Sequence, residues 1–304
     1  MKIAKRIGIT LIYWCKYLSK CYRRRSRRIM TPSQTIDYII QNRCSVSRFG
    51  CGEFRLITAY LTDGGKGGNL GFQNYNEDLG RRLFEVLQMK ESNLSVGLPG
   101  PMFGHYLREL KKDARRFWRD QSLNYIDWVC DYTDPKNVYT DAYFTRFYAD
   151  YKNHDRCGGY VRDLKKIWKD RRLLIVEGEQ SRLGVGNDLF EEADSIERIL
   201  APSTDAFSKV DEIKDAIRLH AKNDTLVLLA LGPTATVIAG EMSSENIQII
   251  DIGHVDIEYE WMLRGADMKT PVKGKFVNEV SGYTESVERD FLQSFAKQII
   301  RHIK

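Results

Sequence analysis

From residue 34 onward, short apolar runs alternate with longer amphipathic stretches, and the hydrophobic period switches back and forth between that of a buried strand and that of a helix. The pattern predicts strands over 45–49, 94–98, 173–176, 195–200, 225–231 and 246–251. Helices are predicted over 35–43, 53–61, 77–90, 105–119, 159–171 and 205–221. Runs such as Leu226-Val-Leu-Leu-Ala-Leu231 are apolar at every position, so both faces of the sheet are expected to be covered. The fold class that follows is α/β, a Rossmann-like and mainly parallel sheet with helices on both faces. Residues 120–152 are rich in Tyr, Trp and Asp without a clear period and are expected to be the least regular part, an aromatic surface suited either to sugar rings or to a core. Asp63-Gly-Gly-Lys-Gly-Gly-Asn-Leu-Gly71 reads as a flexible connection, since it lacks the ending of a P-loop.

Open sheets of this kind bind ligands beyond the carboxyl ends of their strands, which selects the loops after Phe49, Val176, Leu231 and Ile250. The first carries Arg48-Phe-Gly-Cys-Gly-Glu53, where Gly50 and Gly52 allow close backbone approach and Arg48 and Glu53 stand on either side with opposite charge. The second carries Glu177-Gly-Glu-Gln-Ser-Arg182 and Gly184-Val-Gly186, with backbone amides and a guanidinium suited to an anion. The third, Gly232-Pro233-Thr234, reads as a helix start whose amide dipoles favour phosphate. The fourth, Asp251-Ile-Gly-His-Val-Asp-Ile-Glu-Tyr-Glu260, concentrates four carboxylates and a histidine in ten residues. A group that takes a proton from an acceptor hydroxyl is sought among His254, Asp256 and Glu258. Asp251, His254 and Asp256 also have the spacing Asp-x-x-His-x-Asp, which fits a metal-dependent phosphoester hydrolase as an alternative.

Ser47-Arg-Phe-Gly-Cys-Gly-Glu53, Leu173 to Phe190, Leu226 to Thr236 and Ile249 to Glu260 together resemble the GT-D-type glycosyltransferases, a bacterial family first described as a conserved domain of unknown function. The resemblance covers roughly residues 34 to 300. It implies a hexosyltransferase-type enzyme that moves a sugar from a nucleotide-sugar donor, UDP-linked, to a cell-surface polysaccharide or glycoprotein glycan. The donor would meet Arg48, Gly50, Cys51, Gly52, Arg182, Gly184, Gly232, Pro233, Thr234 and Asp251, and the catalytic candidates are Glu53, His254, Asp256 and Glu258. One departure stands out. The family reads Arg-Phe-Gly-Asp-Gly-Glu, an Asp-x-Glu pair that binds the donor and a divalent metal, whereas this chain has Cys51 at the first carboxylate. Mn²⁺ or Mg²⁺ is the implied cofactor with Glu53 and Cys51 as its ligands, yet hard cations prefer oxygen. A non-catalytic nucleotide-sugar-binding relative is therefore the other alternative.

Composition then separates the two ends of the chain. The 304 residues have a formal charge of +6, but the first 30 contain ten Lys and Arg and no acid, the first acidic residue being Asp37. Removing them leaves 37 bases against 41 acids, so the body is slightly acidic. Residues 1–33 are expected to form a basic amphipathic arm and 34–304 the glycosyltransferase domain. The apolar span of the arm, Ile7 to Cys15, is too short to cross a bilayer. With Tyr13, Trp14 and Tyr17 at headgroup depth, residues 1–30 are expected to lie on an anionic membrane, placing the protein in the cytoplasm and peripherally on the inner face of the cell membrane. No nucleic-acid partner is expected, because the body shows no helix-turn-helix, RNA-recognition or zinc-finger pattern. The six cysteines form no Cys-x-x-Cys pair and read as reduced thiols.

Overall fold

The structure is a computed structural model, and it describes residues 2–62, 67–222, 224–277, 279–280 and 289–304. Residues 63–66 of the glycine-rich connection, including Lys66, lie outside these. The described strands are β1 (Arg28–Ile29), β2 (Ser45–Arg48), β3 (Leu94–Leu98), β4 (Val138–Asp141), β5 (Arg172–Gly178), β6 (Ser195–Ala201), β7 (Thr225–Ala230), β8 (Gln248–Asp251) and β9 (Ile299–His302). They form one sheet in the order β1-β4-β3-β2-β8-β7-β5-β6-β9, and every pairing is parallel. The helices are α1 (Lys2–Ser19), α2 (Cys21–Arg25), α3 (Pro32–Asn42), α4 (Cys51–Thr62), α5 (Glu77–Leu87), α6 (Lys112–Asp131), α7 (Cys157–Lys165), α8 (Val210–His220), α9 (Pro233–Glu241), α10 (Val255–Leu263) and α11 (Arg289–Gln298).

Alternate residues of the central strands feed two separate cores, which is why these strands are apolar throughout. Leu174, Val176, Val227, Leu229 and Ile249 join one core, and Leu173, Ile175, Leu226, Leu228 and Ile250 join the other. The predicted α/β class therefore holds. Boundaries moved where local chemistry added a turn. Thus α3 starts earlier than predicted because Thr31 and Gln34 form a reciprocal capping box ahead of Pro32.

Two predicted regions are corrected. The helix expected over 105–119 begins only at Lys112, after Gly104 and Tyr106 take left-handed backbone conformations at φ 92° and 38° that a helix cannot accommodate. It then continues to Asp131, through the stretch expected to be irregular. Trp118, Ser122, Ile126 and Val129 are its buried stripe, and the period was masked because a serine holds one of the inward positions. The rest of that stretch supplies β4 and a short 3₁₀ turn over Ala142–Thr145.

The basic N-terminal stretch packs onto α6. Tyr13 donates to Asp120 Oδ1 at 2.9 Å, Lys20 pairs with Asp127 at 2.7 Å, and Arg23 pairs with Asp131 at 2.5 Å. Arg24 is buried with its guanidinium 3.7 Å from the Tyr17 ring centroid. Arg27 is buried too and donates to Thr133 Oγ1 at 2.8 Å, just before β1 adds to the sheet edge beside β4. Four of the five arginines between residues 23 and 28 are thus used as structural fastening, Arg28 by donating to Lys136 O. No described helix is long and apolar enough to cross a membrane.

Candidate active site

A cleft of about 1100 Å³ opens across the carboxyl ends of β2, β5, β7 and β8. It lies where the strand order reverses, since the chain leaves β2 toward β3 and β4 and returns from the other side through β7 and β8. All four loops selected from the sequence line it, through Arg48 to Glu53, Gly178 with Ser181, Leu231 with Gly232, and Asp251 with Gly253 and His254. The opposite wall comes from the corrected region, with Ala142, Tyr143 and Arg146 after β4 and Asp113 and Phe117 on α6.

The floor of the cleft is a brace between β2 and β8. Arg48 donates through Nε to Asp251 O at 2.8 Å and through Nη2 to Asp251 Oδ1 at 3.0 Å. Its Nη1 donates to Ala142 O at 3.0 Å and Thr145 Oγ1 at 2.9 Å. Asp251 also accepts from Thr236 Oγ1 and from Gly253 N–H. Burial is the main influence on the Asp251 carboxyl and raises it, against the pull of Arg48. Arg48 and Asp251, both donor-site candidates, hold the cleft together with hydrogen bonds that a ligand would have to replace. Gly253 sits at φ 45° against this guanidinium, with no room for a side chain.

The Gly-x-Gly segment is less a turn than a helix start, because α4 begins at Cys51 itself. Glu53, in its first turn, reaches back so that Oε2 accepts the Gly50 N–H at 2.7 Å. Burial first, and the like charge of Asp251 next, push the Glu53 carboxyl above its ordinary range. Cys51 is exposed to the cleft yet walled by protein, so desolvation and then the Glu53 charge raise its thiol. The donor set for Mn²⁺ or Mg²⁺ thus consists of a neutral thiol and one carboxyl already engaged with backbone. Among the described residues, no three His, Cys, Asp or Glu side chains are grouped to hold a metal ion. These residues do not fit a hard cation.

From Val255 the carboxylate-rich segment is α10, buried from Val255 to Trp261, and its acids diverge. Asp256 and Glu260, one helical turn apart, both receive Lys275 Nζ, at 2.6 and 3.0 Å, and both receive Asn187 Nδ2 at 2.8 Å. Asp256 also accepts the Gly184 N–H at 3.0 Å, which pins the loop after β5. Glu258 points the other way, and its Oε2 accepts the backbone N–H groups of Tyr148 and Ala149 at 2.9 and 2.8 Å. Burial drives its carboxyl up to about 7, while Oε1 has no hydrogen-bond partner among the described residues. Asp256 and His254 line the cleft, whereas Glu258 does not. His254 stands with Nδ1 3.3 Å from Arg146 Nη2 and Nε2 3.6 Å from Glu279 Oε1. Both ring nitrogens of His254 are thus turned toward charged side chains.

The remaining donor candidates separate in the same way. Gly232 lines the cleft at φ 55° with Phe72 against it, and Pro233 opens α9 beside it. Thr234 is buried, with its hydroxyl lacking a partner among the described residues. Arg182 and Gly184 are not in the lining, and Arg182 Nη1 donates to Gly274 O at 2.8 Å.

Sequence reasoning missed the ion-paired side of the cleft. Arg146 pairs with Glu279, Lys269 pairs with Glu279 at 2.7 Å and Asp150 at 3.3 Å, and Tyr143 donates to Asp150. Burial raises Glu279, but Arg146, His254 and Lys269 outweigh it and hold that carboxyl well below the usual range. The missed signal was β4, because a strand recognised at 138–141 would have marked the residues after it as a fifth strand end.

The family pattern described as the glycosyltransferase GT-D fold matches residues 46–280. A probable glycosyl transferase, Gly, of Streptococcus gordonii is 36% identical over 278 residues, which are 90% of this chain and 39% of that protein. Glycosyltransferase GlyD of Streptococcus pneumoniae serotype 4 is 34% identical over 271 residues, 89% of this chain and 32% of that protein. The chain thus spans well under half the length of these curated relatives. Among solved structures, the highly conserved domain of unknown function 1792, described as having a distinct glycosyltransferase fold, is 34% identical with a TM-score of 0.85 and covers 95% of this chain and 100% of that one. A glycosyltransferase of the same domain type from Streptococcus sanguinis is 34% identical with a TM-score of 0.80, covering 91% and 100% of the two chains. With its sheet, its cleft and the match over residues 46–280 in agreement, this chain belongs to the GT-D-fold glycosyltransferase family.

Proposed function

We propose that this chain transfers a sugar from a nucleotide-sugar donor, UDP-linked, to a cell-surface polysaccharide or glycoprotein glycan, working peripherally at the inner face of the cell membrane. The observation that carries the reading is the cleft at the reversal of strand order, walled by two helix starts, α4 at Cys51 and α9 at Pro233. Helix N-termini are suited to the diphosphate of such a donor. Its volume of about 1100 Å³ is at the upper end for a single small-molecule site and leaves room for an acceptor beside the donor.

In this reading Arg48 and Asp251 keep the floor rigid while the α4 start approaches the diphosphate. Glu53 is the sequence candidate best suited to take the acceptor hydroxyl's proton, since it lines the cleft with a carboxyl raised by burial. Arg146 and Lys269, paired with Glu279 in this structure, are the cations of the opposite wall that would turn to the negative charge developing on the departing nucleotide. The hydrolase alternative loses support because Asp251 and Asp256, two of its three ligands, are already engaged with Arg48 and Lys275. The non-catalytic alternative is decided by assay. A panel of nucleotide sugars is tested for binding and for slow hydrolysis with parent and Glu53→Gln proteins, the amide keeping an oxygen for the Gly50 N–H. Turnover lost with binding kept supports the reading, and turnover at the parental rate removes Glu53 from it. Binding without turnover in the parent identifies a binding relative.

A further inference from the structure

Helix α1 turns its aromatic side inward. The Arg119 guanidinium stands 4.8 Å from the Trp14 ring centroid and 5.9 Å from that of Tyr17, and Tyr13 is bonded to Asp120. Of these three aromatics, expected at headgroup depth, Tyr17 is buried and Tyr13 is bonded to α6, while Trp14 remains 37% exposed under the Arg119 guanidinium. The neighbouring side of the helix carries Leu11, Cys15, Leu18 and Tyr22, whose spacing of four, three and four makes one stripe running from α1 into α2. This stripe is uncovered, with Leu11 59% exposed, Leu18 61% and Tyr22 83%, and Ile12 beside it is 59% exposed.

Charge decides what fits there. Lys20 and Arg23 are paired with α6 acids, Arg24 and Arg27 are buried and Arg28 donates to Lys136 O, which among the residues of described exposure leaves Lys16 and Arg25 exposed on α1 and α2. No acid occurs before Asp37 to offset them. A second copy would bring the same positive rim against this one. An anionic lipid surface accepts both the apolar stripe and the cations.

We propose that the outward face of α1 and α2 docks on an anionic bilayer, with Leu11, Ile12, Leu18 and Tyr22 entering the boundary between headgroups and acyl chains and Lys16 and Arg25 meeting lipid phosphates. The docking stands on this surface alone, and one consequence rests on the transferase reading. Helix α6, about 30 Å long for its 20 residues, lines the cleft with Asp113 and Phe117 and holds the arm from Asp120 onward. The cleft is thereby fixed near the lipid, within reach of an acceptor carried on the membrane.

The test sediments the full chain with vesicles of phosphatidylcholine containing one third phosphatidylglycerol, and with vesicles of phosphatidylcholine alone. Binding is expected only to the first, weakened by salt. Leu11→Ser with Leu18→Ser, and separately Lys16→Ser with Arg25→Ser, are each expected to weaken it by about tenfold or more. Ile40→Ser, an exposed apolar position on α3, is the control and leaves binding unchanged. Circular dichroism confirms that each variant is folded. No binding by the parent, equal binding by the Leu variant, or a stripe-dependent dimer in sedimentation velocity without vesicle binding overturns the proposal. Donor hydrolysis read in the same samples keeps the two failures apart, because its absence from the parent defeats the transferase reading and leaves the docking result standing.

Discussion

Replacing Gly253 by alanine tests the brace on which the floor of the cleft depends. A Cβ at Gly253 would stand 1.8 Å from Arg48 Nη2 and 2.9 Å from Arg48 Cζ, at a backbone φ of 45°. The guanidinium cannot swing aside freely, since its nitrogens are held by Asp251, Ala142 and Thr145. Two costs follow. A left-handed alanine costs about 1–2 kcal/mol, and displacing the guanidinium from buried Asp251 costs about 1.5–3 kcal/mol for a charged hydrogen bond. The expected loss of stability is about 2.5–5 kcal/mol. Urea unfolding followed by tryptophan fluorescence measures it. Arg48→Ala, alone and in combination, closes a double-mutant cycle. With the guanidinium gone only the backbone cost remains at residue 253, so the coupling is expected near ~2 kcal/mol. A Gly253→Ala loss below about 1 kcal/mol, or an unchanged loss in the Arg48→Ala background, would refute the brace.

Glu258 predicts a pH dependence. Its folded carboxyl lies at about 7 against an unfolded value of about 4.3, so its contribution is full below the unfolded value and is lost as pH rises through 7, by at most about 3–4 kcal/mol. Glu258→Gln should flatten the stability profile between those values, and parallel profiles for parent and variant would contradict the assignment. Arg198→Met leaves Glu177 buried without its cation and is expected to cost about 3–5 kcal/mol in urea unfolding, most of it recovered by adding Glu177→Gln. A single-variant cost below about 1 kcal/mol would argue against that pair as a structural link. Cys51→Asp supplies the second hard ligand beside Glu53 and is expected to tighten Mn²⁺ binding in calorimetry by about tenfold or more relative to the parent. Equal affinities would show that residue 51 does not govern metal binding.

Much of the fold was legible because strand and helix periods are local properties of the chain. The rule that ligands sit beyond the carboxyl ends of parallel strands then chose four loops, and all four line the cleft. Legibility failed where a polar residue occupied an inward position. Ser122 hid the stripe of α6, and with β4 unread the wall bearing Arg146 went unread as well. It failed again among the acids of α10, for a different reason. Asp256, Glu258 and Glu260 differ little in local sequence but are sorted by distant partners, two of them by Lys275 and Asn187, the third by the backbone at Tyr148 and Ala149.

The sequence by itself determined the parallel α/β architecture, the strand ends that form the cleft, the family motif with its Cys51 departure, and an amphipathic N-terminal helix, because each is written in neighbouring residues. Only the tertiary structure decided which charged groups face the cleft and which are fastenings, and which side of α1 is left uncovered. Those outcomes depend on partners more than a hundred residues away, such as Arg48 with Asp251 or Tyr13 with Asp120, and pairing over such distances is set by how the whole sheet and its helices pack.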